Sequence, residues 1–512
     1  MERLVENREE FTHPIRANVK GEIPGWVTGK LFRLGPGKWD LGQGFSLNHW
    51  FDGAAIISSY KIDNGKVEYS SRYLDSEAYK RMSTVNRPVV TEFGTKCYPD
   101  PCKNIFSRFF SALVPSDLTD NNFGNIYRLG DELFCTSETC FVWKVDEDSL
   151  EALQRLDLNK LVSVNLASAH PITEEDGTTY NLGASFITGL KYHIVKIPPP
   201  IKGVSGLKRA TVAYQMHSSW KTMFSYYHSF GMTSNYIIFV EQPLLVNTMR
   251  LIASRVKGYS FKDCFDWVPK EKTKFVVLDR STGQVLRTRF VSDPMFFFHA
   301  VNAYEDNGHL VFDLIGYDDP SIMDKYYMER LRHEDFDTDT QGHFRRYVIP
   351  LIQENNQVEG NIVSLKYTEA RAYWQTNNTV WLTHEEMGRK GYDLPTINPK
   401  YQGKKYRYSY GSGNFEQGAC RNAIVKLDIE RREMDLWRES DTQYPSEPVF
   451  IADPEGEDED DGVLLSVIND TDYSRPDFLL ILDARSLTEV ARAEVDPSVR
   501  VCTSIHGCFV SS

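Results

Sequence analysis

The chain of 512 residues carries a formal net charge of −13 at pH 7, which argues against non-specific nucleic-acid binding. Hydrophobic residues make up 41% of it and aromatic residues 13%, so the chain can bury a sizeable core. No apolar run reaches about eighteen residues, so the sequence predicts no membrane-spanning helix.

The first twenty residues mix acidic and basic side chains, among them Glu2, Arg3, Glu6 and Arg8. This composition is unlike a secretory signal peptide or an Arg-rich, acid-poor transit sequence. The eight cysteines include no C-x-x-C pair, and without a secretory signal reduced thiols are the default. We therefore predict a cytoplasmic protein with no nucleic-acid partner and no obligate protein partner.

Short β-rich runs recur along the chain, and each ends in a hydrophobic–Asp or hydrophobic–Pro step before a turn. Asp starts turns well because its carboxylate accepts hydrogen bonds from the backbone two residues on. Seven such steps end at Asp63, Asp146, Pro198, Asp279, Pro350, Asp428 and Asp483. Many hairpins and few convincing helices predict an all-β fold, a seven-bladed β-propeller with loop and short-helix insertions on one face.

The number of domains depends on whether a linker divides the chain. No Ser/Gly-rich linker is present, so we predict a single domain over residues 1–512. Two β-sandwich domains are the rival all-β architecture.

Two segments place apolar residues at helical spacing with basic residues nearby. The first spans 105–113 and the second 245–256. Their apolar positions are Ile105, Phe106, Phe109, Phe110 and Leu113, and Leu245, Met249, Ile252 and Val256. Each predicts either a helix packed on the core or a surface that docks on a membrane, since apolar faces with basic flanks lie in the lipid interface.

Four histidines occupy apolar or aromatic contexts that have no obvious need of a histidine. They are His170, His228, His299 and His506. Neutral imidazole is the commonest metal ligand, and histidines so far apart in sequence suit separate blades around one axis. In a six-coordinate ion four histidines leave two positions open. We predict that the four histidines bind a metal ion, which is Fe(II) if the protein is an oxygenase and structural zinc in the alternative. Each histidine taken singly also suits a buried position in the core.

Three glutamates lie in similarly unexpected contexts: Glu138, Glu385 and Glu447. A metal-bound histidine usually donates its other N–H to a carboxylate, which fixes its tautomer. We therefore predict that these glutamates support the ligand histidines.

The chain resembles the carotenoid cleavage oxygenases of the animal branch, nearly end to end. The resemblance rests on RLGPG at 33–37, HWFDG at 49–53, PDPCK at 99–103, YHSFG at 227–231, VNAYED at 301–306, YPSEP at 444–448 and HG at 506–507. It implies a seven-bladed propeller with a non-haem Fe(II) on the four histidines. It also implies that Glu138 pairs with His228, Glu385 with His299 and Glu447 with His506.

Two departures from the resemblance stand beside the site. Ala300 follows His299 where many relatives have a second histidine, and the ligand prediction stays with His299. Ser137 precedes Glu138 where relatives often have threonine, which alters the cavity around the iron.

The expected function is an Fe(II) dioxygenase that uses O2 to cleave a conjugated double bond of a carotenoid into two carbonyl products. Tyr226, Tyr227, Phe297 and Phe298 either line the polyene tunnel or belong to the ordinary core. The alternatives are a retinyl-ester isomerohydrolase on the same iron and a carotenoid-binding protein without turnover. The resemblance does not indicate which bond is cut.

A peripheral membrane association is expected, because a carotenoid is collected from lipid.

Overall fold

The protein is described here by a computed structural model. The structure describes residues 1–98, 118–186, 189–201, 203–333, 340–351, 359–415 and 420–512. The apolar stripe predicted at 105–113 and the motif at 99–103 lie outside the described residues.

Short β-strands dominate the described residues. In chain order the first twenty are β1 (Phe11–Arg16), β2 (Asn18–Gly21), β3 (Gly29–Pro36), β4 (Asp40–Gly42), β5 (Phe45–Ser46), β6 (Ala55–Asp63), β7 (Lys66–Tyr73), β8 (Asn125–Leu129), β9 (Glu132–Thr136), β10 (Phe141–Val145), β11 (Ala152–Asp157), β12 (Leu166–Ala167), β13 (Ile172–Thr173), β14 (Thr179–Ser185), β15 (Lys191–Ile197), β16 (Thr211–His217), β17 (Met223–Ser225), β18 (Gly231–Met232), β19 (Tyr236–Glu241) and β20 (Leu244–Asn247). The next twenty are β21 (Phe265–Trp267), β22 (Thr273–Asp279), β23 (Gln284–Val285), β24 (Arg289–Ser292), β25 (Phe296–Asp306), β26 (His309–Tyr317), β27 (His343–Pro350), β28 (Arg371–Gln375), β29 (Thr379–Thr383), β30 (Glu385–Met387), β31 (Tyr392–Thr396), β32 (Tyr408–Gly413), β33 (Ala423–Asp428), β34 (Glu433–Trp437), β35 (Gln443–Pro445), β36 (Val449–Ala452), β37 (Gly462–Asp470), β38 (Phe478–Asp483), β39 (Glu489–Glu494) and β40 (His506–Ser511).

Helices are few and short. The α-helices of the described residues are α1 (Glu77–Val85), α2 (Leu158–Val162), α3 (Thr248–Lys257), α4 (Ile322–Lys325) and α5 (Met328–His333). Single 3-10 turns cover Glu2–Val5, Trp50–Asp52, Leu207–Arg209, Lys262–Cys264 and Pro399–Tyr401. Within the part of the chain that is described, no helix has the length and apolar character needed to cross a membrane.

Most sheets are antiparallel and contain strands that follow one another in the chain. Strands β8 to β11 form one such sheet, β12 to β16 another and β31 to β34 a third. Strands β25, β26 and β27 pair in sequence, and β30 completes their sheet. A parallel pair, β24 with β29, joins two sets of antiparallel strands into one seven-stranded sheet. The fold is therefore mostly β, as the sequence predicts.

The predicted hairpin turns are present at all five aspartates. The flanking strands pair antiparallel at Asp63, Asp146, Asp279, Asp428 and Asp483. The Asp279 carboxylate accepts hydrogen bonds from the amides of Ser281 and Thr282 at 2.8 and 3.0 Å, which is the expected turn chemistry. Pro198 also separates antiparallel partners, β15 and β16. The hairpin predicted at Pro350 is wrong, because β30 rather than the next strand pairs with β27.

The N-terminal and C-terminal regions share sheets. One five-stranded sheet has the order β1-β7-β6-β3-β40, and β2 pairs with β39 in another. In the first sheet Leu34 of β3 lies opposite His506 of β40. This pairing holds His506 in the interior, where it is 4% exposed.

The second predicted apolar stripe, at 245–256, is divided between a strand and a helix. Leu245 lies in β20 and is 2% exposed, so it belongs to the core, and the prediction of one continuous stripe is wrong there. On helix α3, Leu251 is buried, whereas Met249 and Ile252 are 65% and 48% exposed. These two side chains form an exposed apolar pair on the protein surface.

Candidate metal centre

The four histidines predicted as ligands come from four separate parts of the β structure. His170 lies in the loop between β12 and β13, and His228 in the loop between β17 and β18. His299 is in β25, where the pairing with β26 is irregular. His506 opens β40 beside β3. Each histidine lies in or next to a strand, so the backbone pairing of the sheets fixes its position.

The imidazole rings of these histidines converge on one point. The Nε2 atoms of His170 and His228 are 2.7 Å apart. The Nε2 atom of His299 lies 3.2 Å from the Nε2 atom of His228 and 3.3 Å from the Nε2 atom of His506. One ring nitrogen of each histidine lies within 4.8 Å of all the others. The structure therefore brings the four predicted ligands together, and their role as ligands stays a prediction.

The Nδ1 atoms of three of the histidines face carboxylates on the side away from the cluster. Because an ionised carboxylate only accepts, each of these Nδ1 atoms carries the proton, and each Nε2 keeps a free lone pair. The pairs are His228 with Glu138 at 2.5 Å, His299 with Asp393 at 2.7 Å and His506 with Glu447 at 2.9 Å.

Glu385, predicted to pair with His299, has other partners. It lies in β30 and is 4% exposed. Its Oε1 accepts a hydrogen bond from Nε of Arg432 at 2.7 Å. Its Oε2 accepts from the Thr368 hydroxyl at 2.6 Å and the Glu369 amide at 2.9 Å. Both oxygens are engaged away from the histidines, so the predicted Glu385–His299 pair is wrong.

Asp393 occupies the place predicted for Glu385. It lies in β31, where the register with β32 shifts, and the next residue, Leu394, has a φ of +48°. The Leu394 amide donates to Asp393 Oδ1 at 2.8 Å. The Tyr317 hydroxyl donates to Oδ2 at 2.5 Å. With His299, three donors therefore hold this carboxylate.

Burial sets the protonation of the cluster. It lowers the pKa of His506 to about 4 and that of His170 well below its ordinary value. Burial would raise the pKa of Asp393, but His299, Tyr317 and the backbone amide lower it to about 2. Neutral imidazoles beside a charged carboxylate are the protonation states that metal binding requires.

The donor set fits a metal ion. Three of the Nε2 atoms cannot donate to one another, since their rings already donate through Nδ1. Their lone pairs therefore face each other at close range and repel. A cation among them would convert this repulsion into ligation, and imidazole nitrogen suits Fe, Zn, Cu or Ni. The cluster could thus hold a metal through four neutral ligands.

The histidine cluster opens into a cavity of about 1440 Å³ that is partly open to solvent. His228, His299 and His506 line it, and most of its remaining wall is aromatic or aliphatic. The aromatic lining includes Trp50, Phe51, Phe93, Phe265, Phe298 and Tyr326. Because most of this wall is apolar, the cavity suits a mainly apolar molecule.

Comparison with known proteins identifies the family. The family model described as Retinal pigment epithelial membrane protein matches residues 4–511. The chain belongs to this family of carotenoid oxygenases. A mitochondrial carotenoid-cleaving dioxygenase of Mustela putorius furo is 40% identical over 99% of this chain and 96% of its own. A beta,beta-carotene 15,15'-dioxygenase of Homo sapiens is 40% identical over 99% of this chain and 94% of its own.

The fold of this carotenoid oxygenase is similar to that of solved structures. A variant of Synechocystis apocarotenoid oxygenase has a TM-score of 0.78 at 21% identity, over 100% of this chain and 98% of that chain. The family resemblance seen in the sequence is therefore confirmed. The resemblance implies glutamates as partners of the histidines, and this carotenoid oxygenase has aspartate at one of the three places, Asp393.

Three of the four aromatic residues predicted to line the tunnel of the carotenoid oxygenase do line the cavity: Tyr226, Tyr227 and Phe298. Phe297 does not. It is 1% exposed and belongs to a different hydrophobic cluster, because successive side chains of a strand point to opposite faces. Ser137 also lines the cavity, and its hydroxyl donates to Asn122 at 3.0 Å.

Proposed function

We propose that this chain is an Fe(II)-dependent dioxygenase that cleaves a conjugated double bond of a carotenoid into two carbonyl products. The observation that carries the proposal is the four-histidine cluster on the wall of a large aromatic cavity. The relatives at 40% identity are named as carotenoid-cleaving and beta,beta-carotene dioxygenases, which supports the same substrate class here.

We assign the metal as iron because the proposed reaction uses O2, and the four imidazole nitrogens would hold such a divalent ion without adding charge. Fe(II) held by these histidines would supply the binding and activation of O2 for reaction with the electron-rich polyene. Zinc would fit the same nitrogens but offers no redox chemistry.

The side chains around the cluster orient the ligands and hold the substrate. Glu138, Asp393 and Glu447 fix the tautomer and the rotation of three imidazole rings. Tyr226 supports the first of these carboxylates by donating its hydroxyl to Glu138 at 2.8 Å. The aromatic walls bury a polyene beside the histidines, stack on its conjugated chain and exclude water.

Incubation of the iron-loaded protein with all-trans β-carotene and chromatography of the products test the proposal. Two retinals would indicate central cleavage, and an apocarotenal with an ionone would indicate eccentric cleavage; either supports it. Retinol formed from a retinyl ester without carotenoid cleavage would select an isomerohydrolase instead. A carotenoid that binds and stays intact would select a binding protein.

We propose that the sheets form a seven-bladed β-propeller and that residues 1–512 are one domain. Local antiparallel sheets such as β8 to β11 and β31 to β34 have the form of propeller blades. Pairing of β40 with β3 is the kind of contact that closes such a ring. Histidines on strands of separate blades would then meet at the axis.

We also propose that the enzyme is cytoplasmic and docks reversibly on membranes through helix α3. Met249 and Ile252 are exposed on this helix, and Leu251 of the same helix lines the cavity. The apolar pair therefore lies next to the wall of the substrate cavity. Lys257 in the last turn supplies a basic flank, as in helices that lie in the lipid interface.

Changing both Met249 and Ile252 to Asp is expected to weaken liposome binding severalfold and to slow turnover of carotenoid presented in liposomes. Iron content and turnover of detergent-dispersed carotenoid should stay unchanged, since neither residue lines the cavity. The control is Leu153→Asp, an exposed position in β11, which should change neither liposome binding nor turnover. If the double variant binds liposomes as the parent does, the docking surface lies elsewhere.

A further inference from the structure

Arg421 places a charged side chain on the wall of the mainly apolar cavity. It lies between β32 and β33, is half-buried, and lines the cavity together with Tyr326 and Ile505. Arg421 and Tyr326 also line two smaller cavities of about 510 and 490 Å³. Polar side chains such as Ser504 and Asn414 contribute to the walls of those smaller cavities. Arg421 therefore lies where the large cavity meets these two smaller ones.

The Arg421 guanidinium forms no hydrogen bond or ion pair with any residue that the structure describes. The carboxyl groups that line the large cavity are already engaged. Glu138 accepts from His228, Asp393 accepts from His299, and Glu92 accepts from the Thr119 hydroxyl at 2.7 Å. None of these three carboxyl groups pairs with Arg421, so among the described residues the guanidinium has no acceptor, and a molecule in the cavity can supply one.

A hydrocarbon carotenoid cannot satisfy this guanidinium. Arginine presents five N–H donors, and covering them with hydrocarbon removes water without providing an acceptor. A hydroxyl or keto oxygen on the end ring of the substrate would accept a charge-assisted hydrogen bond. Arg421 would then favour an oxygenated carotenoid over the hydrocarbon of the same length.

We infer that Arg421 determines substrate specificity, by binding an oxygen function on the terminal ring, and that the preferred substrates are oxygenated carotenoids. The inference rests on the proposed function, because it assumes that the polyene occupies the large cavity. It adds the substrate class and the residue that selects it. The aromatic residues of the cavity hold the hydrocarbon part of either kind of carotenoid.

The test compares β-carotene with zeaxanthin, which carries a hydroxyl on each end ring, in the parent enzyme and in Arg421→Met and Arg421→Lys. For the parent we expect kcat/KM to be higher with zeaxanthin. Arg421→Met should lower it about tenfold for zeaxanthin and by less than about twofold for β-carotene, since only the hydroxyl loses a charged donor. Arg421→Lys should keep part of the preference, because it keeps a cation. Iron content should stay the same, as Arg421 forms no hydrogen bond with any of the four histidines.

Binding of the two carotenoids to metal-free protein, followed by absorbance, gives a second measurement that needs no turnover. Arg421→Met should weaken zeaxanthin binding alone. Equal losses with both carotenoids, in turnover and in binding, would overturn the inference and assign Arg421 a structural role. Unchanged zeaxanthin kinetics and binding in Arg421→Met would overturn it too. If the parent cleaves neither carotenoid, the proposed function fails, and the binding preference still decides the role of Arg421.

Discussion

Replacing His299 with alanine is expected to remove most of the bound iron and, with it, most of the carotenoid cleavage. The reason is the composition of the cluster, in which four imidazoles converge and no other group of potential ligands among the described residues lies as close. The loss of His299 also leaves the half-buried Asp393 carboxylate without its histidine donor. Metal analysis of the purified variant, together with the β-carotene product assay, measures both effects.

A histidine outside the cluster provides the matched control. His217 is exposed at the end of β16, and His217→Ala should keep both iron and turnover. The same loss of iron is expected for His170→Ala, His228→Ala and His506→Ala. Full metal content and full turnover in His299→Ala would remove this residue from the ligand set.

Asp393→Ala is expected to cost about 10–100-fold in metal affinity or activity, which is typical for the loss of a carboxylate that orients a ligand histidine. Asp393→Asn should cost less, because the amide oxygen can still accept from His299 Nδ1 at the present 2.7 Å. Tyr317→Phe removes one of the donors that hold the carboxylate and should have the smallest effect of the three. Metal titration and kcat/KM for each variant measure these three losses and rank the variants.

Glu385 supplies the comparison, because the sequence predicts the same role for it. Its oxygens accept from Arg432, Thr368 and Glu369, so Glu385→Gln should leave iron binding unchanged even if it lowers the stability of the fold. Thermal unfolding separates these two effects. Iron loss in Glu385→Gln together with normal iron in Asp393→Ala would contradict the pairing in the structure.

The sequence identifies the histidines and two of their partners because each lies in a short context in which that residue type is unexpected. His299 follows three phenylalanines, and Glu447 lies between Ser446 and Pro448 in Tyr-Pro-Ser-Glu-Pro. A polar side chain in such a context needs a partner when it is buried. The resemblance to a known family then groups these residues into one site, which their separation in sequence does not do.

Asp393 escapes sequence analysis for two reasons. The resemblance implies glutamates, so an aspartate is not considered, although Tyr-Asp-Leu-Pro at 392–395 is also an unexpected context for a carboxylate. The second reason is geometric, because Asp393 lies where the register of β31 with β32 shifts and next to the left-handed backbone of Leu394. Neither feature has a residue signature here, since left-handed backbone favours glycine or asparagine over leucine.

The sequence does not show toward which face of a strand or helix an apolar side chain points. Phe297 and Phe298 have the same composition and context, yet only Phe298 lines the cavity. Successive side chains of β25 point to opposite faces, so only one of the two can line the cavity, and the sequence does not show which. Leu245 is buried and Met249 is exposed, because strand β20 ends between them and helix α3 begins.

The pairing of β40 with β3 has a consequence for the biogenesis of the enzyme. A ribosome makes β3 early and His506 more than four hundred residues later, so the nascent chain holds three of the ligands long before the fourth exists. During that interval the edge of β3 that receives β40 is unpaired, and unpaired edges invite association with other chains. Stable metal uptake would then follow the addition of β40, and iron content would report how many chains in a preparation have completed their last strand. A translational arrest before β40 would yield chains that chaperones hold and that bind iron weakly, whatever the state of the rest of the sheets.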